Sequence, residues 1–222
     1  MSDATPYAVN DASPTPFERL VSTRRMVRAF RPDPIDRGLL ARLVNSATRS
    51  PSAGRTQGWN LVVLEGAQTE TFWSATMTSE IRSAFRWQHL FAAPLIALSF
   101  ADPQAYLDRY SENDKSKSDL GGSLDAWPTP YWTVDASFAT MTLLLAAHDA
   151  GVGALFFGVF RGEAELRTAL GIPPRLQLIG AIAMGYERVP TSAERDDAAF
   201  GAGLSAGRRR AEADEVVHFN GW

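Results

Sequence analysis

Apolar side chains along this chain fall into two rhythms. From Asp36 onward, Leu39, Leu40, Leu43, Val44 and Ala47 recur at steps of three and four, which predicts an amphipathic helix with Asp36 as its N-cap. Thr15 followed by Pro16 predicts a shorter helix that carries Phe17, Leu20 and Val21 and stops near a group of arginines. Short unbroken apolar runs at 59–64, 94–100, 154–159 and 176–184 predict strands. Helical stretches are expected at 67–90 and at 162–170, the second stopped by Gly171. A long helix is expected at 134–150, with Phe138, Met141, Leu145 and Ala146 at helical spacing and deep burial. Strands and helices mixed in this order predict an α+β fold in one domain, 15–222.

Three stretches break the pattern. Residues 1–14, rich in Ser, Thr, Pro, Asn and Asp, are expected to be a disordered or draped arm. Residues 102–130 turn to charges, Ser, Gly and Pro, and are expected to form an irregular insertion, either a cover over a site or a disordered segment. The polar stretch 186–211 leads to EVVHFNGW, in which Val216, Val217, Phe219 and Trp222 predict an extended tail docked onto something.

Composition narrows the chemistry. With 45% apolar residues in 222, the chain can bury one full core. A formal charge of −3 gives no basic footprint for nucleic acid or an anionic membrane. The absence of cysteine excludes disulfides, thiolate zinc sites, Cys-ligated iron–sulfur clusters and dithiol cycling, so redox chemistry would need a bound cofactor. His89, His148 and His218 stand apart from one another and from paired carboxylates, so no metal site is expected. No secretory signal or membrane-length apolar run is read, and the expected location is the cytoplasm.

Arg24, Arg25, Arg28 and Arg31 form a density of guanidinium groups suited to a phosphate or a planar anion, with a solvated basic face as the alternative. SPSAGRTQGW, 50–59, sets small residues, hydroxyls and an amide between a helix and a strand, where a backbone can approach a ligand; a plain connection is the alternative. GVGALFFG and GAGLSAG lack the GxGxxG spacing, so no dinucleotide fold is expected.

In order, TRRMVRAF, SPSAGRTQGW, GVGALFFGVF with a following ALGIP, and GRRRAEADEVVHFNGW closely resemble the nitroreductase family from about residue 20 to the end. The resemblance implies an α+β homodimer with a central mixed, mostly antiparallel sheet flanked by helices, a tail at 212–222 exchanged across the dimer, and FMN at the subunit interface. It implies that Arg24 binds the FMN phosphate, and that Arg25 and Arg28 contact the phosphate, ribityl chain or pyrimidine edge. A cation beside that edge would stabilise the reduced, anionic ring. Pro51, Ser52, Ala53 and Gly54 match the loop laid against the flavin by the neighbouring subunit, with Arg55 and Gln57 in the same motif. Phe157, Gly158 and Val159 match a strand end whose backbone amide reaches flavin N5, and Arg208 and Arg210 match basic residues on the phosphate. Three positions depart from the family pattern: Met26 replaces a phosphate-binding Ser, Arg55 an Asn and Gly58 a Pro.

Trp127, Tyr131 and Trp132 lie where the family builds a cover over the flavin, and flat rings there would stack on an aromatic substrate or on nicotinamide, core packing being the alternative. The implied activity is hydride transfer from NAD(P)H, by ping-pong kinetics, to nitroaromatic, quinone or similar conjugated acceptors. No catalytic side chain is implied. Rival readings are a non-catalytic flavin-binding protein and a specialised member resembling the iodotyrosine deiodinases or the flavin-fragmenting dimethylbenzimidazole synthases.

Overall fold

Four strands, β1 (Trp59–Glu65), β2 (Leu95–Ala101), β3 (Gly153–Phe157) and β4 (Gln177–Gly185), pair in the order β1-β2-β4-β3, each pair antiparallel. The structure is a computed structural model that describes residues 13–194, 196–201 and 203–222. Most of the expected N-terminal arm, up to residue 12, lies outside the described residues. The parallel element of the expected mixed sheet is an isolated bridge between Met26 and Ala154.

Every residue of β2 is buried, because side chains alternate across a strand and both faces of this sheet are covered. On one face Leu95 and Ala97 of β2 and Ile182 and Met184 of β4 pack against helices α2 (Arg37–Ala47) and α6 (Tyr131–Asp149). On the other, Ile96, Leu98, Phe100, Ala181 and Ala183 pack against α3 (Thr69–Thr76) and α7 (Glu163–Leu170). The result is three layers with a core on each side of the sheet.

Local chemistry sets the helix ends. The Asp36 carboxylate accepts from Leu39 N at 2.9 Å and starts α2. Thr15 and Glu18 form a reciprocal capping box at the start of α1 (Pro16–Thr23), which buries none of its side chains. The expected helix at 67–90 is broken: Met77 adopts an extended conformation, and Thr78 recaps α4 (Ser79–Ser83). Gly162 and Gly171, both at positive φ, bracket α7.

Three expectations are corrected. The insertion 102–130 is not irregular throughout, since Asp102 caps α5 (Pro103–Tyr110) with Pro103 in its first turn. The long helix starts at Tyr131, and its buried face is Trp132, Ala136, Ala139, Leu143, Leu144 and Ala147, whereas Phe138 and Met141 are 47% and 40% exposed. The tail is not wholly extended, because Ala213–Val216 forms one helical turn, α8. Among the described residues no helix is long and apolar enough to cross a membrane.

Candidate functional site

A cleft of about 420 Å³ gathers arginines that the sequence carries far apart. After α1 the chain runs extended alongside the sheet, with Val27 N bonded to Ala154 O at 3.0 Å and Arg188 N to Ala29 O at 3.0 Å. Extended backbone sends neighbouring side chains opposite ways, so Val27 enters the core while Met26 and Arg28 line the cleft. Arg24, Arg25, Glu187, Arg188, Phe200 and Arg210 complete its walls. Arg208 is exposed and does not line it.

Two of these guanidinium groups are already committed. Arg25 makes a bidentate ion pair with Glu187, which holds its pKa above the ordinary arginine value. Arg188 donates to Glu194 Oε1 at 2.7 Å and lies over the Phe200 ring at 4.9 Å. Arg28 sits over Trp87 at 5.0 Å, and its pKa is lowered, first by burial and then by the charge of Arg86. A half-buried guanidinium beside another cation gains when an anion enters. Arg24, Arg28 and Arg210 therefore offer a phosphate-sized anion a cationic cradle. Among the described residues no cluster could hold a metal ion.

The 50–59 motif forms a second wall of the molecule, away from these arginines, around a smaller cavity of about 170 Å³ that Pro51, Ser52, Gln57, Tyr106 and Asp135 line. Gly54, Arg55 and Gln57 take φ of 59°, 57° and 55°. For the two non-glycine residues that conformation costs on the order of 1–2 kcal/mol each. It is held by Ala53 N to Asp135 Oδ2 at 2.7 Å, Gln57 N to Ser52 Oγ at 2.8 Å and Arg109 Nε to Gly54 O at 2.8 Å. Tyr106 donates its hydroxyl to Asp135 Oδ2 at 2.7 Å, and its pKa is pushed well up, chiefly by burial.

Phe157, Gly158 and Val159 leave β3 beside an apolar cleft of about 250 Å³ that Phe72, Met77, Ile81 and Phe160 also line. Phe160 is 92% exposed. A chain of ring contacts joins this cleft to the arginines: Arg28 over Trp87, then Phe85, Phe91, Trp73 and Phe157. One end of the assembly is cationic and the other apolar, a polarity suited to an aromatic ring that carries a phosphate.

The aromatic group of the insertion divides. Trp127 and Trp132 are buried against Tyr106, their indole N–H groups bonded to Leu120 O and Gln177 Oε1 at 2.9 Å each, and Tyr131 keeps a 41% exposed ring. Sequence reading missed Trp87, Glu187, Arg188 and Phe200, which only tertiary contacts bring to the cleft. It also missed Asp135, although a lone carboxylate inside an apolar helix was a readable signal.

The nitroreductase family model matches residues 21–186. A protein of Archaeoglobus fulgidus named for NADH dehydrogenase/NAD(P)H nitroreductase is 26% identical over 174 residues, 77% of this chain and 84% of its own. The 5,6-dimethylbenzimidazole synthase of Rhodospirillum rubrum is 28% identical over 186 residues, 78% of this chain and 82% of its own. Nitroreductase CinD from Lactococcus lactis, solved in complex with 4-nitrophenol, shares the fold with a TM-score of 0.63 at 17% identity, covering 81% of this chain and 97% of that one.

Proposed function

The chain belongs to the nitroreductase family, and we propose that it is an FMN-dependent oxidoreductase that takes hydride from NAD(P)H and reduces nitroaromatic, quinone or similar conjugated acceptors. The observation that carries this reading is the convergence of Arg24, Arg28 and Arg210, distant in sequence, on one cleft. Those residues would hold the terminal phosphate, with Arg25 and Met26 beside them in the cleft. Bound FMN would supply the two-electron chemistry that the side chains lack. FMN is favoured over FAD because the cleft supplies cations for one phosphate and the sequence has no pyrophosphate-binding fingerprint.

The other residues bind and orient. The backbone of Phe157, Gly158 and Val159 would lie against the ring, and the apolar cleft beside it would receive flat donors and acceptors in turn, hence ping-pong kinetics, whereas Trp127, Tyr131 and Trp132 cluster around Tyr106 instead. The loop of Pro51, Ser52, Ala53, Gly54, Arg55 and Gln57 would face the flavin of a second copy. A homodimer is supported by the apolar side chains left in water on one chain: Phe17 is 64% exposed and Phe138 47%. The likeness to the 5,6-dimethylbenzimidazole synthase supports a flavin-fragmenting alternative on the same cleft.

One spectrum tests the main reading. The purified protein is expected to carry a flavin absorbance that bleaches on anaerobic addition of NADPH or NADH, and the cofactor released by heat is expected to run as FMN. A colourless protein that takes up no FMN overturns the proposal. Flavin that stays oxidised with both donors favours a non-catalytic or flavin-fragmenting role.

A further inference from the structure

Asp135 is 7% exposed on α6, and among the described residues it has no ion pair. A carboxylate in that position is tolerated only when hydrogen bonds replace its water. Both of its hydrogen-bond partners matter to one loop. Oδ2 accepts the Ala53 N–H at 2.7 Å, inside the loop, and the Tyr106 hydroxyl at 2.7 Å from α5, the helix that rests on the loop.

The same helix closes the loop from above. Arg109 Nε donates to Gly54 O, and a Cβ at Gly54 would come within 2.8 Å of the Tyr110 ring. Backbone in the left-handed region at Gly54, Arg55 and Gln57 does not persist in water unless its surroundings fix it, and Asp135 brings a buried carboxylate to bond the loop.

We propose that Asp135 is a positioning residue for the cofactor: through Ala53 and Tyr106 it holds Ser52–Gln57 in the shape that one subunit lays against the flavin of the other. This rests on the reading above that the loop faces FMN across a dimer. An asparagine can still accept from Ala53 N, whereas leucine accepts nothing and phenylalanine at 106 removes only the hydroxyl.

The test is an FMN titration of the full-length dimer and its variants. Asp135→Leu is expected to raise the FMN dissociation constant roughly tenfold or more, Tyr106→Phe about threefold, and Asp135→Asn is expected to restore binding to within about threefold of wild type. A heterodimer with Arg210→Ala in one subunit and Asp135→Leu in the other distinguishes positioning across the interface from general loosening. Both defects then fall on one site, leaving one tight FMN per dimer. Unchanged affinity in Asp135→Leu and Tyr106→Phe, or a heterodimer with no tight site, overturns the proposal. If Asp135→Leu does not fold, Tyr106→Phe with an unchanged melting temperature of the flavin-free protein and weakened FMN binding still supports it, and unweakened binding overturns it. Wild type that binds no FMN overturns the underlying reading instead, and is told apart by that control.

Discussion

Arg25 and Glu187 face each other at the arginine cleft, joined by two parallel hydrogen bonds, Nη1 to Oε1 at 2.5 Å and Nη2 to Oε2. The pair takes one guanidinium out of the cluster and puts a negative charge beside an anion site. Glu187→Gln should release Arg25 and tighten FMN binding about threefold at low ionic strength, the scale of an exposed ion pair. The gain should fade in high salt. Flavin fluorescence titrations at two salt concentrations check it, and weaker binding by the variant would show that Glu187 holds Arg25 in its productive position.

On the proposed assignment, Arg24→Ala and Arg210→Ala should each weaken FMN binding roughly ten- to hundredfold, because each would remove charge-assisted hydrogen bonds of about 1.5–3 kcal/mol to the phosphate. Arg25→Ala should cost less, since Glu187 already satisfies that group. Equal affinity of wild type and the first two variants at matched ionic strength would remove both residues from the site.

Much of the fold was legible because its central strands are unbroken apolar runs whose alternate residues feed opposite faces, as Leu95 and Ile96 do. Helix α5 was hidden by polar composition, although Asp102 with Pro103 was a start signal. Phe138 and Met141 were misjudged because an apolar residue reads the same whether it packs inside its own chain or against another. Half of the arginine cleft was visible in local motifs at Arg24, Arg28 and Arg210. The other half, Glu187, Arg188 and Phe200, depends on β4 ending beside the strand-like run after α1, a relation that no local pattern carries.

Gly162 and Gly171 both sit at positive φ, 71° and 62°, but a Cβ at Gly162 would come within 1.8 Å of Ala75 O while one at Gly171 meets nothing within 4 Å. Gly171→Ala should therefore cost only the conformational penalty, about 1–2 kcal/mol. Gly162→Ala adds a backbone clash with Ala75 O and should cost more than about 3 kcal/mol. Urea unfolding of the two variants separates the terms, and equal losses would refute the clash.

Glu194 holds a pKa of about 2, first through the Thr191 backbone N–H, then the Thr191 hydroxyl and Arg188. A depressed carboxylate pKa contributes stability that is fully present above the unfolded value near 4.3 and is lost as pH falls through about 2. Since Arg188 also lies over Phe200, and Gly201 O accepts from Trp87 Nε1 at 2.9 Å, acidification across that window should loosen this wall of the cleft. Amide protection near Phe200, measured relative to the intrinsic exchange rate at each pH, should fall from about pH 4.5 downward in wild type. In Glu194→Gln that protection should be lower already and flat with pH, and parallel profiles would exclude Glu194 as the cause.

Deleting residues 212–222 should weaken the dimer and FMN binding together, and more than deleting residues 1–12 does. Val216 is 63% exposed, Val217 43%, Phe219 65% and Trp222 104% on the single chain. Burying the larger of these would be worth roughly 1.5–3 kcal/mol each, so a partner surface that accepts them gains several kcal/mol. The tail is also tied to the arginine segment: Arg209 pairs with Glu215 through Nη1 to Oε2 at 2.6 Å and Nη2 to Oε1 at 2.5 Å, directly beside Arg210. Truncation removes Glu215 and frees the backbone that carries Arg210 into the cleft. Loss of the partner contact and loss of a phosphate ligand should therefore appear at the same truncation point. Sedimentation velocity and flavin titration of the shortened protein test the two halves separately. Glu215→Ala, which breaks only the ion pair, should reduce FMN affinity modestly while the dimer stays intact. A truncated protein that remains dimeric and keeps wild-type FMN affinity would show that the exposed tail serves neither the interface nor the cofactor.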